Sequence, residues 1–226
     1  MDKKGVSEVV GYLITFGIVV AVVGVIYASG MPVVEDTKEK SAFQSMETSF
    51  LTLQGNIKKV AFGQSPLRTM KFNLIKGSIG ANDNAGNITV NGQTFPFGNI
   101  EYTIGTRKVV YELGAVIEST PGGNIIISDP PIFNSSGEVF ISVINASGGF
   151  SAGGGMAEMH IGGSDGLYNV TSDTHVYNYS SPVTININSY QYQEAWGRYL
   201  TDEFGSSPVN ITNCNLTLVS HNVSIS

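Results

Sequence analysis

Residues 9–34 read VVGYLITFGIVVAVVGVIYASGMPVV, a run of 26 residues without a charged side chain. As an α-helix rising about 1.5 Å per residue, this run would reach about 39 Å, which exceeds the hydrocarbon layer of about 30 Å that a spanning helix crosses. It therefore predicts a membrane-spanning helix. Lys3 and Lys4 precede the run, and Glu35 and Asp36 follow it. The positive-inside tendency then predicts a cytoplasmic N-terminus and an extracellular remainder, so the protein is expected at the cell surface as a single-pass anchored chain.

A cleaved secretory signal is the competing interpretation of this run, because such signals also begin with positive charge and an apolar stretch. Their apolar stretch usually has only about 7–15 residues. Ala28-Ser29-Gly30 nevertheless supplies small residues suited to a cut. Ordinary removal would leave a mature chain that starts near residue 31 and has no anchor.

Composition limits the rest of the chain. Its 226 residues, 42% of them hydrophobic, leave roughly 160 beyond the N-terminal helical region, enough for one domain with a packed core. The net charge of −6 argues against nucleic-acid binding, which needs a basic face. Cys214 is the single cysteine, so no intramolecular disulfide is available and packing must hold the core. Cys214 is expected to be a small buried hydrophobe, with intermolecular pairing or reactivity as the alternative.

The sequence contains no recognisable catalytic constellation. His160, His175 and His221 are too scattered for a zinc site, and the serines lack a nucleophile-elbow motif. His160 falls in a predicted strand and is expected at the surface or at a sheet edge. We therefore expect neither enzyme activity nor a metal or other cofactor.

An apolar seam follows the charge-free run at alternating spacings of three and four residues. It consists of Phe43, Met46, Phe50, Leu53, Ile57 and Val60. This heptad pattern predicts a helix, and Gly63 followed by Pro66 supplies a stop, so one helix is expected over residues 6–62 with a kink allowed at Pro32. The seam has two uses that the sequence leaves open, namely packing with other copies or packing on the protein's own sheet.

Small residues form a stripe in the first half of this helix, at steps of four, three and four: Gly17, Ala21, Gly24 and Ala28. Such a stripe lets membrane helices approach closely, although Gly and Ala are also common in any spanning helix. Glu8 begins the same segment, where a carboxylate must either reach the membrane interface or find a positive partner.

The stretch Lys4-Gly5-Val6-Ser7, followed by Glu8 and the apolar run, resembles the N-terminus of archaeal type IV pilin-like proteins, which carry a class III signal peptide. The resemblance covers roughly residues 1–65. It implies that a prepilin peptidase cuts between Gly5 and Val6, so that the apolar segment is retained. It also implies assembly with other copies through the pilus machinery, in which Glu8 neutralises the new amino group of a neighbour. Glu8 would be the third mature residue, whereas bacterial pilins carry this acid at the fifth.

Beyond residue 68 the helical period gives way to short alternating or β-branched runs. These predict strands at 70–75, 88–90, 100–104, 108–112, 115–118, 125–128, 139–144, 156–161 and 183–187, with alternation again over 209–225. Gly-, Asn- and Pro-rich segments separate them, including 80–86, 120–123, 129–131 and 148–155. The spacing favours an antiparallel sandwich or barrel. One late helix is expected over 189–204, with Tyr192, Trp196 and Tyr199 on a face that packs on the sheet or, alternatively, grips a glycan or a neighbouring subunit.

The predicted organisation is α+β: a leader at 1–5, a transmembrane and stalk helix at 6–62, and an extracellular antiparallel β-sandwich-like domain at 63–226. Eight asparagines of this extracellular part lie in N-x-S/T motifs, which favours N-glycosylation: Asn87, Asn134, Asn145, Asn169, Asn178, Asn210, Asn215 and Asn222. The alternative is that Asn, Ser and Thr are simply frequent in turns and strand ends.

Two functions follow from these features. The first is a structural subunit of an archaeal type IV pilus-like filament or cell-surface assembly, anchored and polymerised through the N-terminal helix. The second is a membrane-anchored surface glycoprotein or adhesin that does not polymerise. A third class, an extracellular enzyme or solute-binding module, would require a concave site with converging polar groups, which the sequence does not reveal.

Overall fold

The computed structural model describes the backbone of residues 3–163, 175–180, 182–212 and 214–226, and the side chains of these residues except 3–8 and 175–180. In this part the chain forms two helices, α1 (Lys3–Ala61) and α2 (Gln193–Phe204), and twelve strands. The strands are β1 (Leu67–Val90), β2 (Gln93–Ile104), β3 (Arg107–Glu112), β4 (Ala115–Thr120), β5 (Gly123–Ser128), β6 (Ile132–Ser135), β7 (Glu138–Ser147), β8 (Ser151–Gly163), β9 (His175–Ser180), β10 (Val183–Ser189), β11 (Val209–Ile211) and β12 (Asn215–Ile225).

The chain divides into two compact units, Met1–Ser41 and Ala42–Ser226. The described residues of the first unit are all helical and belong to α1. Near the end of this unit, Lys40 Nζ lies 2.7 Å from Asp36 Oδ2, one helical turn away. The pair is mostly exposed, so it adds only a few tenths of a kcal/mol.

The second unit is built on one sheet of mixed direction. Its main path runs β5-β4-β3-β2-β1-β8-β12-β7-β6, while β10 joins β1, β11 joins β10 and β9 joins β12. Within the described ranges β7 and β12 form the one parallel pair, and the other ladders are antiparallel. A parallel pair needs a long crossover, which the chain between β7 and β12 provides.

The sheet separates two hydrophobic cores on its opposite faces. Successive side chains of β3 enter different cores, because strand residues alternate between faces: Val109 and Tyr111 lie in the first core and Val110 in the second. This double burial explains why β3 reads as a continuous apolar run. The first core is covered by residues 42–61 of α1, and the second by α2 and β10.

The heptad seam forms the helical side of the first core. Its six members are buried to 3% exposure or less: Phe43, Met46, Phe50, Leu53, Ile57 and Val60. The rings of Phe50 and of Phe72 in β1 lie 6.3 Å apart between centroids. Of the two uses that the sequence left open for the seam, the structure contains the packing on the protein's own sheet.

A polar side chain fixes the helix on the sheet. Gln54 is 6% exposed, and its amide nitrogen donates to the carbonyl oxygens of Gly114 at 2.8 Å and Asp129 at 3.1 Å. Ser128 Oγ donates to the amide oxygen of Gln54 at 2.8 Å. Because a buried amide is costly when it lacks partners, these bonds select one position of the helix along the strands.

Helix α2 protects both terminal strands of the main path. The Arg198 guanidinium donates to the carbonyl oxygen of Asn124 in β5. On β6, the Tyr199 hydroxyl donates to the carbonyl oxygen of Ile132, and Glu203 Oε1 accepts the backbone N–H of Asn134 at 2.9 Å. Side chains of one helix thereby occupy backbone groups that an edge strand would otherwise offer to another chain.

The predicted α+β class, with a long N-terminal helix and one late helix, is confirmed. The prediction of a wholly antiparallel sheet is wrong at the β7 and β12 pair. The late helix begins at Gln193 rather than at residue 189, because Ser189 Oγ accepts the Tyr192 N–H at 3.1 Å and holds a turn before it. Tyr192 and Trp196 are buried as expected of the aromatic face that packs on the sheet.

Two predicted connections lie inside strands. Residues 80–86 belong to β1, where the pairing with β2 shifts register between Asn82 and Gly86. The amide oxygen of Asn82 accepts the N–H of Asn84 at 3.1 Å, a hydrogen bond typical of turns. Here this bond forms at an irregularity within β1 and not at a connection between strands. Of residues 148–155, those from Ser151 onward are already in β8.

Candidate membrane and assembly segment

The apolar run of α1 is uncovered within the chain. Its large side chains are exposed along the whole run, as Tyr12 at 78%, Leu13 at 65% and Tyr27 at 67% illustrate. Among the described residues, α1 is the one helix that is long and apolar enough to cross a membrane. An apolar surface of this extent on a folded protein marks a segment that meets lipid or a partner.

One hydroxyl inside the run is satisfied locally. Thr15 Oγ1 donates to the carbonyl oxygen of Gly11 at 3.0 Å, one turn earlier in the helix. A hydroxyl bonded in this way does not require water, and apart from the Ala28 carbonyl, which faces Pro32 and so has no N–H to accept, the backbone groups in the interior of the helix have their partners within it. The segment can therefore enter a lipid environment without leaving this hydroxyl unpaired.

The small-residue stripe lies on one side of this helix. At about 100° per residue, Gly17, Ala21, Gly24 and Ala28 fall within an arc of about 60°. A Cβ added at Gly17 or Gly24 would meet no atom within 4 Å, so nothing in this chain fills the stripe. The space beside it is open to a second helix or to lipid.

The leader motif joins the same helix, because the backbone is helical from Lys3 onward. The side chains of Lys4, Gly5, Val6, Ser7 and Glu8 lie outside the described part of the structure. The cut between Gly5 and Val6 and the pairing of Glu8 therefore stay predictions.

The sequons differ in accessibility. Asn134, Asn210, Asn215 and Asn222 are exposed, whereas Asn87 and Asn145 are half-buried. Nδ2 of Asn145, the atom that would carry a glycan, donates to Asn222 Oδ1 at 3.2 Å, and its Oδ1 accepts the N–H of Gly98 at 3.0 Å. Asn169 lies outside the described residues, and of Asn178 the structure describes only the backbone in β9.

The predicted positions of the cysteine and of one histidine are confirmed. Cys214 is buried at 5% exposure, and the His160 ring is about half exposed on β8, where Nδ1 lies 3.2 Å from Thr69 Oγ1. His221 is buried, with its ring edge against Phe62 at the end of α1, and burial lowers the pKa of its imidazole. The backbone of His175 lies in β9. In the described part of the chain, no three His, Cys, Asp or Glu side chains are placed to hold a metal ion.

A buried acid was missed by the sequence analysis. Glu112, at the end of β3, is 0% exposed, and its Oε1 accepts the indole N–H of Trp196 at 2.7 Å. Burial raises the pKa of Glu112 to about 7, although hydrogen bonds from Ser189, Trp196 and Asn99 oppose the rise. The available signal was an acid within the apolar run Val109-Val110-Tyr111-Glu112-Leu113.

Glu112 is expected to make stability depend on pH. The folded chain keeps a proton on Glu112 up to about pH 7, whereas the unfolded chain releases it near pH 4.5. The free energy of unfolding should therefore fall as pH rises between these values, by at most about 3.4 kcal/mol. Glu112→Gln keeps an acceptor for Trp196 and should flatten the dependence. Denaturant titrations from pH 4 to 8 measure the free energy of unfolding at each pH, and the variant Glu158→Gln, at an exposed position, is the control. An unchanged slope in the Glu112 variant would contradict this role.

Comparisons with known proteins place the chain among archaeal relatives. An uncharacterized protein of Archaeoglobus fulgidus is 37% identical over 77 residues, which cover 34% of this chain and 25% of that protein. A second uncharacterized protein of the same organism is 26% identical over 183 residues, 68% of this chain and 69% of that protein. No solved structure gives a significant match. A family model matches residues 4–224, and the chain therefore belongs to DUF7289, a family of unknown function.

Proposed function

We propose that this protein is a structural subunit of a type IV pilus-like filament or related cell-surface assembly. It is held in the membrane and then polymerised through the first part of α1. In this proposal the unit formed by residues 42–226 faces the exterior, and glycans attach at the exposed sequons. The partners are further copies of the chain, the membrane, a prepilin peptidase and the assembly machinery.

The observation that carries this proposal is the contrast between the two halves of α1. The six seam residues between positions 43 and 60 are buried against the protein's own sheet, whereas the apolar side chains of residues 9–34 are exposed. A helix that is apolar on all sides needs lipid or other helices around it. Exchange of lipid contacts for helix contacts along the small-residue stripe would drive polymerisation without any cofactor.

The buried seam narrows the mechanism that the sequence suggested. If the seam packed with other copies, both the stripe and the seam would drive assembly, but the seam already has its partner within the chain. Of the two apolar parts of α1, residues 9–34 then remain for helix packing between subunits. The same burial supports the second candidate, a membrane-anchored surface glycoprotein or adhesin that does not polymerise.

The mature N-terminus tests the processing step. The purified protein is expected to begin at Val6, because cleavage after Gly5 removes only the basic leader. Gly5→Val enlarges the residue before the cut and should leave the leader attached, whereas Gly11→Val, at a site with open space around it, should be processed normally. N-terminal sequencing and intact-mass measurement identify the mature N-terminus of the wild-type chain and of the two variants. A wild-type chain beginning at Met1 or near residue 31 would contradict prepilin-type processing.

Imaging separates the two candidates. Cells that express a tagged chain should carry labelled surface fibres if it polymerises. Diffuse label over the envelope, together with a mature N-terminus at Val6, would favour the non-polymerising anchor and overturn the filament proposal.

A further inference from the structure

We infer that a polar pocket on the unit Ala42–Ser226 binds a neutral carbohydrate. The sugar that it binds is either free or part of a glycan. The pocket measures about 310 Å³ and opens to solvent over the face of β1, β2 and β8, next to the turn that precedes α2. It is a concave site of the kind that the sequence could not reveal. The inference does not depend on filament formation.

The register of three strands builds the pocket. Ser78, Gly80 and Asn82 of β1 pair directly with Thr103, Glu101 and Asn99 of β2, and Gly80 also pairs with Ser151 of β8. Directly paired residues project from the same face of a sheet, so all these side chains point to one side. The intervening Ile79 and Tyr102 enter the first core instead.

Irregularities of β1 frame this short segment. The pairing with β8 shifts between Leu74 and Ser78, and the pairing with β2 shifts between Asn82 and Gly86. Such bulges re-aim side chains and often lie beside binding sites. Gly80 lies between them, and its missing side chain gives the pocket depth.

The charge balance of the pocket favours an uncharged ligand. Glu101 is the one charged residue among the described residues that line the pocket, and Lys108 Nζ lies 2.8 Å from Glu101 Oε1. The Tyr192 hydroxyl donates to Glu101 Oε2 at 2.6 Å, and Thr103 Oγ1 donates to Oε1 at 3.0 Å. Burial raises the pKa of Glu101, but these hydrogen bonds outweigh it and hold the pKa below its usual value. The Glu101 carboxylate is therefore charged, and the neighbouring Lys108 balances its charge.

The remaining polar lining matches the chemistry of sugar hydroxyls. It consists of hydroxyl and carboxamide side chains: Ser78, Asn82, Asn99, Thr103, Ser151 and Gln191. Such groups can donate and accept, except that Thr103 already gives its hydroxyl hydrogen to Glu101 and can only accept. Sugars present donors and acceptors in the same alternating way. The volume lies at the lower end of ligand pockets, about 300–1,000 Å³, which suits one or two sugar units.

Filling the pocket tests the inference. A Cβ at Gly80 would lie 3.7 Å from the Phe150 carbonyl oxygen, an ordinary contact, so Gly80→Val should fold while occupying the floor. Gly122→Val is the matched control, because its Cβ would also lie 3.7 Å from its nearest atom, Thr120 Oγ1, away from the pocket. The double variant Ser78→Ala with Ser151→Ala removes two hydroxyls without adding bulk. Thermal unfolding confirms that each variant is folded.

The full chain in detergent micelles is applied to an array of neutral and anionic oligosaccharides, so that polymerisation does not affect the result. We expect binding to neutral glycans, weakened about tenfold or more by Gly80→Val and by the double variant but not by Gly122→Val; tenfold corresponds to about 1.4 kcal/mol. If free disaccharides compete for binding, the pocket recognises a free sugar. If they do not compete, it recognises a sugar that is linked within a glycan. Absence of neutral-glycan binding, a preference for anionic glycans, or binding that both pocket variants leave unchanged would overturn the inference.

Discussion

Phe50→Ala is expected to lower the free energy of unfolding of the sheet-containing unit by about 3–5 kcal/mol, the range for truncating a fully buried phenylalanine. Phe50 is 0% exposed in the centre of the seam, and its ring packs near that of Phe72. Removing it leaves a cavity between α1 and the sheet that close-packed neighbours cannot fill. Domain stabilities are typically about 5–15 kcal/mol, so this single change removes a large share.

The adjacent residue gives a matched control for this prediction. Leu51 is 43% exposed, and Leu51→Ala should change the free energy of unfolding by no more than about 0.5 kcal/mol. Denaturant unfolding of the detergent-solubilised chain can be followed by fluorescence of its one tryptophan, Trp196. Trp196 lies in the second core, so its signal reports whether damage to the first core unfolds the whole unit. Equal effects of the two variants would show that the seam does not pack on the sheet.

Replacing Gly17 and Gly24 together by leucine is expected to abolish filaments while leaving the chain folded and membrane-inserted. A side chain at either position meets nothing within 4 Å, so the chain itself tolerates the change. Leucine raises the apolar character of the run and therefore preserves insertion. What is lost is the close approach of a second helix along the stripe.

Two other glycines of the same helix make the control. Gly11 and Gly30 also have open space around them, and both lie outside the arc of the stripe. The double change of Gly11 and Gly30 to leucine should leave filament number and length unchanged. Electron microscopy of cells and sedimentation of sheared filaments measure the outcome. Undiminished filaments in both double variants would refute a role for the stripe, and equal losses in both would refute its specificity, because any added bulk would then disrupt assembly.

The helical and strand periods were readable because they depend on local spacing. Residues 6–62 were predicted as a helix that the structure places at Lys3–Ala61. Each strand predicted between residues 70 and 187 falls within an observed one, and the alternating run 209–225 contains two strands, β11 and β12. What the seam packs against could not be predicted, because a heptad pattern specifies an apolar face but not its partner. The parallel pairing of β7 and β12 was equally hidden, since it joins segments far apart in sequence.

The polar features of the unit Ala42–Ser226 could be located only from the pairing register of its strands. Glu101 and Glu112 are ordinary acids in the sequence, and only the pairing of β2 with β3 and the position of α2 give one a lysine partner and bury the other beside Trp196. The Asn- and Gly-rich residues 80–86 were predicted as a connection because turn residues dominate them. Pairing with β2 at residues 80–82 and at Gly86, with β8 at Gly80 and with β10 at Gly86 keeps them within β1, where their irregularity borders the pocket.

The bonds from α2 to β5 and β6 limit how copies of this chain can aggregate. Arg198, Tyr199 and Glu203 occupy backbone groups at both ends of the main strand path. Growth by adding a neighbour's strand would first have to displace them, so these two edges resist cross-β stacking. In the proposed surface assembly, copies of the unit Ala42–Ser226 at high local concentration would then not join through these two edges, and association would depend on the helix instead.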